Sequence, residues 1–172
     1  MNTGQMALTI AAFILLGIVS LNFRSANFQN EDVLEGNEYT QKAVAIGRSI
    51  IEEMKRKPFD LAVVNSKTIV RVENLTSCGP GYGEVYPAFN DVDDFNGSVF
   101  RSPAAGVAPT TKIPKCLWDT WGFTVRVTVE YVSTTNPTVT TSRSYAKRCT
   151  LRISNEFFPR HGNHVIYSGI LT

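Results

Sequence analysis

The sequence predicts an α+β fold: a long N-terminal α-helical spine, apolar in its first half and amphipathic in its second, packed against an antiparallel β-sheet head of about four strands. Three observations predict it. Residues Met6 to Phe23 form a nearly unbroken apolar run. That run passes, without a proline, into a helical stripe that continues to Met54. Beyond Pro58 the pattern changes to period two with β-branched residues. The expected organisation is a hydrophobic N-terminal helix over 1–25, the amphipathic half of the spine over 26–57, and a sheet head over 58–172 with a long loop at 78–116.

The helix comes first in the chain. Its two halves together make one helix of about 50 residues, ~75–80 Å at ~1.5 Å per residue, against about 11–12 residues for an ordinary globular helix. The apolar run Met6–Phe23 is long enough to span a bilayer core, for which about 17–25 residues are needed. A cleaved secretory signal wants a basic n-region and a small-x-small cleavage site; no Lys or Arg precedes Arg24, and no clean A-x-A follows. A plain membrane anchor accounts for the run but not for the periodicity beyond it. Val33, Leu34, Ala43, Val44, Ile46, Ile50, Ile51 and Met54 recur largely at spacings of three, four and seven, the stripe of a helix with one face on a core. The stretch Glu35 to Thr40 is its weakest part. Lys55, Arg56 and Lys57 fall where the helix dipole favours cations, and Pro58 stops the helix. Gly17, Gly36 and Gly47 are weak points inside it, each costing ~1 kcal/mol relative to Ala.

In the head, Thr68–Glu73 is the first strand candidate. Gly122–Val132 is the clearest, with Phe123, Val125, Val127, Val129 and Tyr131 on one face and Thr124, Arg126, Thr128 and Glu130 on the other. Thr134–Thr138 is a turn. Ser142–Ile153 returns, alternating Arg143, Tyr145, Lys147 and Cys149 against Ser144, Ala146, Arg148 and Thr150. His164–Ile170 is the last strand, after a turn at Pro159–Asn163. The segment Cys78–Cys116, rich in Gly, Pro, Asn and Asp, reads as a long surface loop.

Composition narrows the function. A net charge of +2 with scattered basic residues gives no footprint for nucleic acid. Three cysteines with no C-x-x-C pair fit no zinc template. Outside the cytoplasm two would pair and one would stay free; Cys78–Cys116, closing the loop, is the preferred disulfide. Asp91, Asp93, Asp94 and Asn96 offer hard oxygen ligands for calcium, but Phe95 and Ser102 occupy ligand positions of the calcium-loop template. The simpler reading is that these side chains bond local backbone in Asx turns. His161 and His164 read as surface histidines, and Gly79–Gly83 lacks the Gly-Lys-Ser/Thr ending of a phosphate cradle. The sequons at Asn74 and Asn96 matter only where the host glycosylates asparagine. With no nucleophile elbow or other catalytic constellation, the sequence does not read as an enzyme and implies no cofactor.

The stretch Cys78-Gly-Pro-Gly-Tyr-Gly-Glu84, followed by Phe89-Asn-Asp-Val-Asp-Asp-Phe-Asn-Gly97, resembles the segment between helix and sheet in many type IV pilin-like proteins. The strands Phe123–Tyr131 and Tyr145–Ile153 are also similar to that family's paired strands. The resemblance covers most of the chain and implies a pilin fold. It implies a structural subunit that waits in the inner membrane and then polymerises into an extracellular filament on a bacterial surface, for adhesion, motility or attachment. It also implies homo-oligomeric packing, a prepilin peptidase and pilus assembly machinery. The residues expected in the membrane and then in the filament core are Met6, Leu8, Ile10, Phe13, Ile14, Leu16, Ile18, Val19, Leu21 and Phe23, with close packing at Ala7, Ala11, Ala12 and Gly17. The family carries Glu at the fifth mature position, where it neutralises a neighbour's N-terminal amine. Here that position is Gln5 if Met1 is first, or Thr9 if cleavage follows Gly4, so neither register supplies a carboxylate. A missing carboxylate also occurs in some tip-located minor pilins. The alternatives are therefore a minor pilin or type II secretion pseudopilin, and a membrane-anchored periplasmic binding domain.

Overall fold

The computed structural model describes residues 2–66, 71–81, 83–104, 106–156, 158 and 164–172, with side chains described throughout these except at 24–35 and 66. Helix α1 spans Thr3–Lys55, 53 residues, and stops short of Pro58 with Lys55 in its last turn. A cation there meets the partial negative charge of the unpaired carbonyls. The chain divides into two compact units, Met1–Glu38 and Tyr39–Thr172.

The second unit is built on a four-stranded antiparallel sheet in sequence order: β1 (Val99–Arg101), β2 (Thr124–Tyr131), β3 (Lys147–Ser154) and β4 (His164–Leu171). Every neighbouring pair is antiparallel. In the central pair Val125 faces Ile153, Val127 faces Leu151, Val129 faces Cys149 and Tyr131 faces Lys147, and all eight are buried. Alternation of side chains puts these residues on one face and leaves Arg126, Thr128 and Arg152 exposed on the other.

The buried face is covered by the last turns of α1. Ala43, Ile46, Ile50, Ile51 and Met54 join the same core as the strand residues, at the spacing of a single helical face. Burying side chains of this size contributes about 1.5–3 kcal/mol each. Helix and sheet approach closely at two glycines. A Cβ on Gly47 would stand 2.9 Å from Tyr167 Cβ, and one on Gly169 would stand 3.2 Å from Ile51 Cγ2. Gly47 is therefore a crossing point as well as a weak point in the helix. Val44, expected in the stripe, is exposed, because it falls to the side of the buried face. The side chains of Val33 and Leu34 lie outside the described residues.

The strand count agrees with expectation, but one member differs. Thr68–Val70 of the first candidate strand lie outside the described residues, and Val72–Asn74 form a 3₁₀ turn instead of strand. The fourth strand is β1, from inside the segment expected to be surface loop. That segment is half core: Phe89, Val92, Phe95 and Phe100 are buried, and Asp93–Phe95 form a buried 3₁₀ turn. The rings of Phe89 and Phe95 lie 4.9 Å apart, and Tyr86 and Phe100 5.2 Å apart, in edge-on contacts. Gly97, at φ 77°, takes the left-handed conformation needed to turn from this buried segment into β1. The returning strand begins at Lys147, not Ser142; before it, Thr140 forms only an isolated bridge to Val132. The turn expected at Pro159–Asn163 falls outside the described residues. A short helix, α2 (Leu61–Ser66), follows Pro58.

Candidate functional site

Two features are candidates for function, and each lies within one unit. The first is the apolar surface of α1. Thr3–Phe23 has a mean hydropathy of 2.2, is long and apolar enough to cross a membrane, and is exposed along its length. All ten expected core residues, from Met6 to Phe23, are between 51% and 74% exposed. Leu15, not singled out from sequence, is exposed with them. Ala7, Ala11, Ala12 and Gly17 are exposed too, and a Cβ on Gly17 would meet nothing within 4 Å. Gln5 is exposed in the first turns, where its carbonyl accepts the Thr9 hydroxyl at 3.2 Å. An all-round apolar surface of this size has no counterpart in an ordinary soluble helix, which hides one stripe and wets the rest.

The cysteine expectation is corrected. Cys78, Cys116 and Cys149 are all free thiols. Cys78 lies near Asp93 and Lys147, whereas Cys116 interacts with Ser49 and Glu53 on α1, so the two ends of the segment meet different partners. Cys149 points into the core. Burial pushes Cys78 and Cys149 up to about 12, which makes both poor nucleophiles.

The acidic run behaves as a set of turn-forming side chains. Asp91 Oδ1 accepts the Asp93 and Asp94 backbone N–H groups at 2.7 and 3.3 Å. Asp94 Oδ2 accepts from Asn90 N and Asp91 N. Asn96 Oδ1 accepts Val129 N at 2.9 Å while its Nδ2 donates to the Cys78 carbonyl, so it finishes the edge of β2 beyond β1. The Asp91 and Asp94 carboxylates are thus aimed at backbone donors and that of Asp93 at the Lys147 ammonium, not at a common point. Among the described residues no group of three or more His, Cys, Asp or Glu is placed to hold a metal ion. Burial, then the charges of Asp94 and Asp93, raise the Asp91 carboxyl to about 6.

The second candidate is a buried ionic cluster that sequence reasoning missed. Lys147 opens β3 with its side chain fully buried. Its ammonium nitrogen lies 2.7 Å from Asp93 Oδ2, 2.5 Å from the Phe59 carbonyl and 3.4 Å from Asp60 Oδ2. Nζ also sits 4.2 Å from the centre of the Phe59 ring and 4.7 Å from that of Tyr131. Asp60 is held by several donors: the Tyr131 hydroxyl at 2.6 Å, the Thr76 hydroxyl at 3.1 Å, and the backbone N–H groups of Ala62 and Thr76. Burial alone would raise Asp60, but these hydrogen bonds and the Lys147 charge outweigh it and hold the carboxyl at about 2. At Asp93 burial prevails over the lysine, and its carboxyl is raised. Asp93 Oδ1 is buried and has no hydrogen-bond partner among the described residues. A signal was present in the sequence: period two puts Lys147 in phase with Cys149, on what proves to be the core face.

No family model, curated protein or solved structure matches the chain.

Proposed function

We propose that this chain is a structural subunit of a type IV pilus-like filament with a pilin fold, which polymerises through the apolar half of α1 after residence in a membrane. The observation that carries the reading is the all-round exposed apolar surface of Thr3–Phe23, on a helix whose last turns form one wall of a sheet domain. A bilayer core and a bundle of identical apolar helices are both environments in which that surface costs little. Transfer between them therefore exchanges lipid contacts for packing contacts, and the small residues Ala7, Ala11, Ala12 and Gly17 allow close approach. The turn-rich segment from Cys78 and the strand meander support the family reading by resemblance.

The absent carboxylate at Gln5 and Thr9 favours a second reading of the same architecture, a minor pilin or secretion pseudopilin that starts or tips a fibre. A membrane-anchored domain working alone is the remaining alternative. Sedimentation of the full chain and of residues 39–172 tests the shared claim. The full chain is expected to be membrane-bound or to self-associate, and the truncated head to be a soluble monomer. A truncated head that still polymerises refutes assembly through the helix.

A further inference from the structure

The Lys147 cluster has the layout of a condensation site. An amine stands against a carboxyl group at 2.7 Å, a second carboxylate touches the same nitrogen at 3.4 Å, and the three side chains are 0–2% exposed. The Phe59 and Tyr131 rings wall the nitrogen. We propose that Lys147 and Asp93 condense into an intramolecular amide, a side-chain isopeptide cross-link made by the folded chain itself with Asp60 as proton carrier.

The step balances without an outside reagent. Lys147 as ammonium gives one proton to the Asp60 carboxylate and becomes a neutral amine. Its lone pair attacks Cγ of the protonated Asp93 carboxyl, forming the C–N bond. A second nitrogen proton passes through Asp60 to the departing hydroxyl, the C–O bond breaks, and water leaves. One hydrogen stays on the new amide nitrogen and Asp60 ends protonated. No redox change occurs.

Three features favour this course. The fold holds amine and carboxyl in contact, so the entropy of bringing them together is already spent by folding. The two carboxyls are driven apart in acidity: Asp60 stays the anion beside the amine, and Asp93 is raised toward the acid that can lose hydroxide as water. Among the described residues Asp93 Oδ1 has no hydrogen-bond partner in the unreacted cluster, a cost that is greatest while the carboxyl is ionised and is lower for a neutral amide oxygen. The product joins the 3₁₀ turn at Asp93–Phe95 to the start of β3, across 54 positions of sequence. It would limit the unfolded chain as a disulfide does, but resist reductants. The cross-link is independent of the filament reading.

The test is a peptide map by mass spectrometry of full-length protein, extracted in detergent, reduced and digested. The expected result is one branched peptide that joins the Asp93 and Lys147 fragments and is lighter than their sum by one water. It is lost in Lys147→Met and in Asp60→Asn, and wild type runs ahead of Lys147→Met on a reducing denaturing gel. Recovery of the two fragments separately, at their full sequence masses, overturns the proposal. So does a water loss confined to a single fragment, the mark of a cyclic imide. A branched peptide undiminished in Asp60→Asn overturns the role of Asp60. The wild-type map decides the cross-link by itself, whether or not the variants fold.

Discussion

Asp91 titrates at its ordinary 3.8 when unfolded and at about 6 when folded. Between those values the folded state binds more protons, so stability contributed by this group is full below about pH 4 and lost as pH rises toward 6. Asp94 and Asp93 are the charged groups that face it. Asp91→Asn keeps the Oδ1 acceptor for the two backbone N–H groups and removes the charge. It is expected to stabilise the head at pH 7 by about 1–3 kcal/mol and to flatten the pH 4–6 slope, read from urea midpoints across pH. A second residue-level prediction concerns Gly47. Alanine improves helix propensity by ~1 kcal/mol, but its Cβ would meet the base of the Tyr167 side chain at 2.9 Å. Overpacking of this kind costs about 1–3 kcal/mol, so Gly47→Ala should lower Tm. Both residues show where sequence reading stops. Asp91 was visible as an oxygen ligand or turn former, but its burial is a fact of the folded head. Gly47 was visible as a defect in the helix, while its use at a crossing is a fact of packing. Lys147 was in phase with the core face, and only the partners Asp60 and Asp93, from two other segments, make a lysine tolerable there.

At the scale of elements, long periodic segments were legible and short ones were not. α1, β2 and β4 follow from patterns of many residues that agree with one another. β1 has three residues, too few to show alternation, and its pairing is completed from outside: Gly97 N and Ser98 O bond Val127. Thr68–Glu73 alternates as a strand should, yet its end folds into a 3₁₀ turn whose residues are not buried. Local propensity carried that expectation. The Gly, Pro, Asn and Asp of 78–116 looked like loop composition, but four aromatics of the segment, Tyr86, Phe89, Phe95 and Phe100, form a cluster in the core. The helix–sheet interface makes a direct prediction. Ile50 is fully buried between α1 and the strands, so Ile50→Ala should destabilise the head by about 2–5 kcal/mol in chemical denaturation. A loss below about 0.5 kcal/mol, the scale of surface substitutions, would contradict the packing of α1 described for this unit.

At the scale of the whole molecule, the sequence distinguishes two kinds of surface on one helix. Residues 3–23 have an apolar surface that is exposed along its length, and Tyr39–Lys55 has a covered face. Phe13 lies near the middle of the apolar stretch. Phe13→Asp places a charge where a helix centre in a bilayer pays ~2.5–3.5 kcal/mol. It is expected to reduce membrane retention and assembly while leaving the melting of the head unchanged, since Phe13 belongs to the other unit. Under the proposed filament reading, what the sequence could not carry is what takes the place of the Glu of type IV pilins, because hydrogen bonding by Gln5 to another subunit depends on a partner.

Cryo-electron microscopy of the sheared cell-surface fraction tests the central claim most directly. The account predicts filaments whose density fits this chain in every subunit, with the apolar half of α1 in the filament core and Gln5 near a neighbour's N-terminus. Filaments built entirely from another chain, with this chain left as single copies in the membrane, would contradict it.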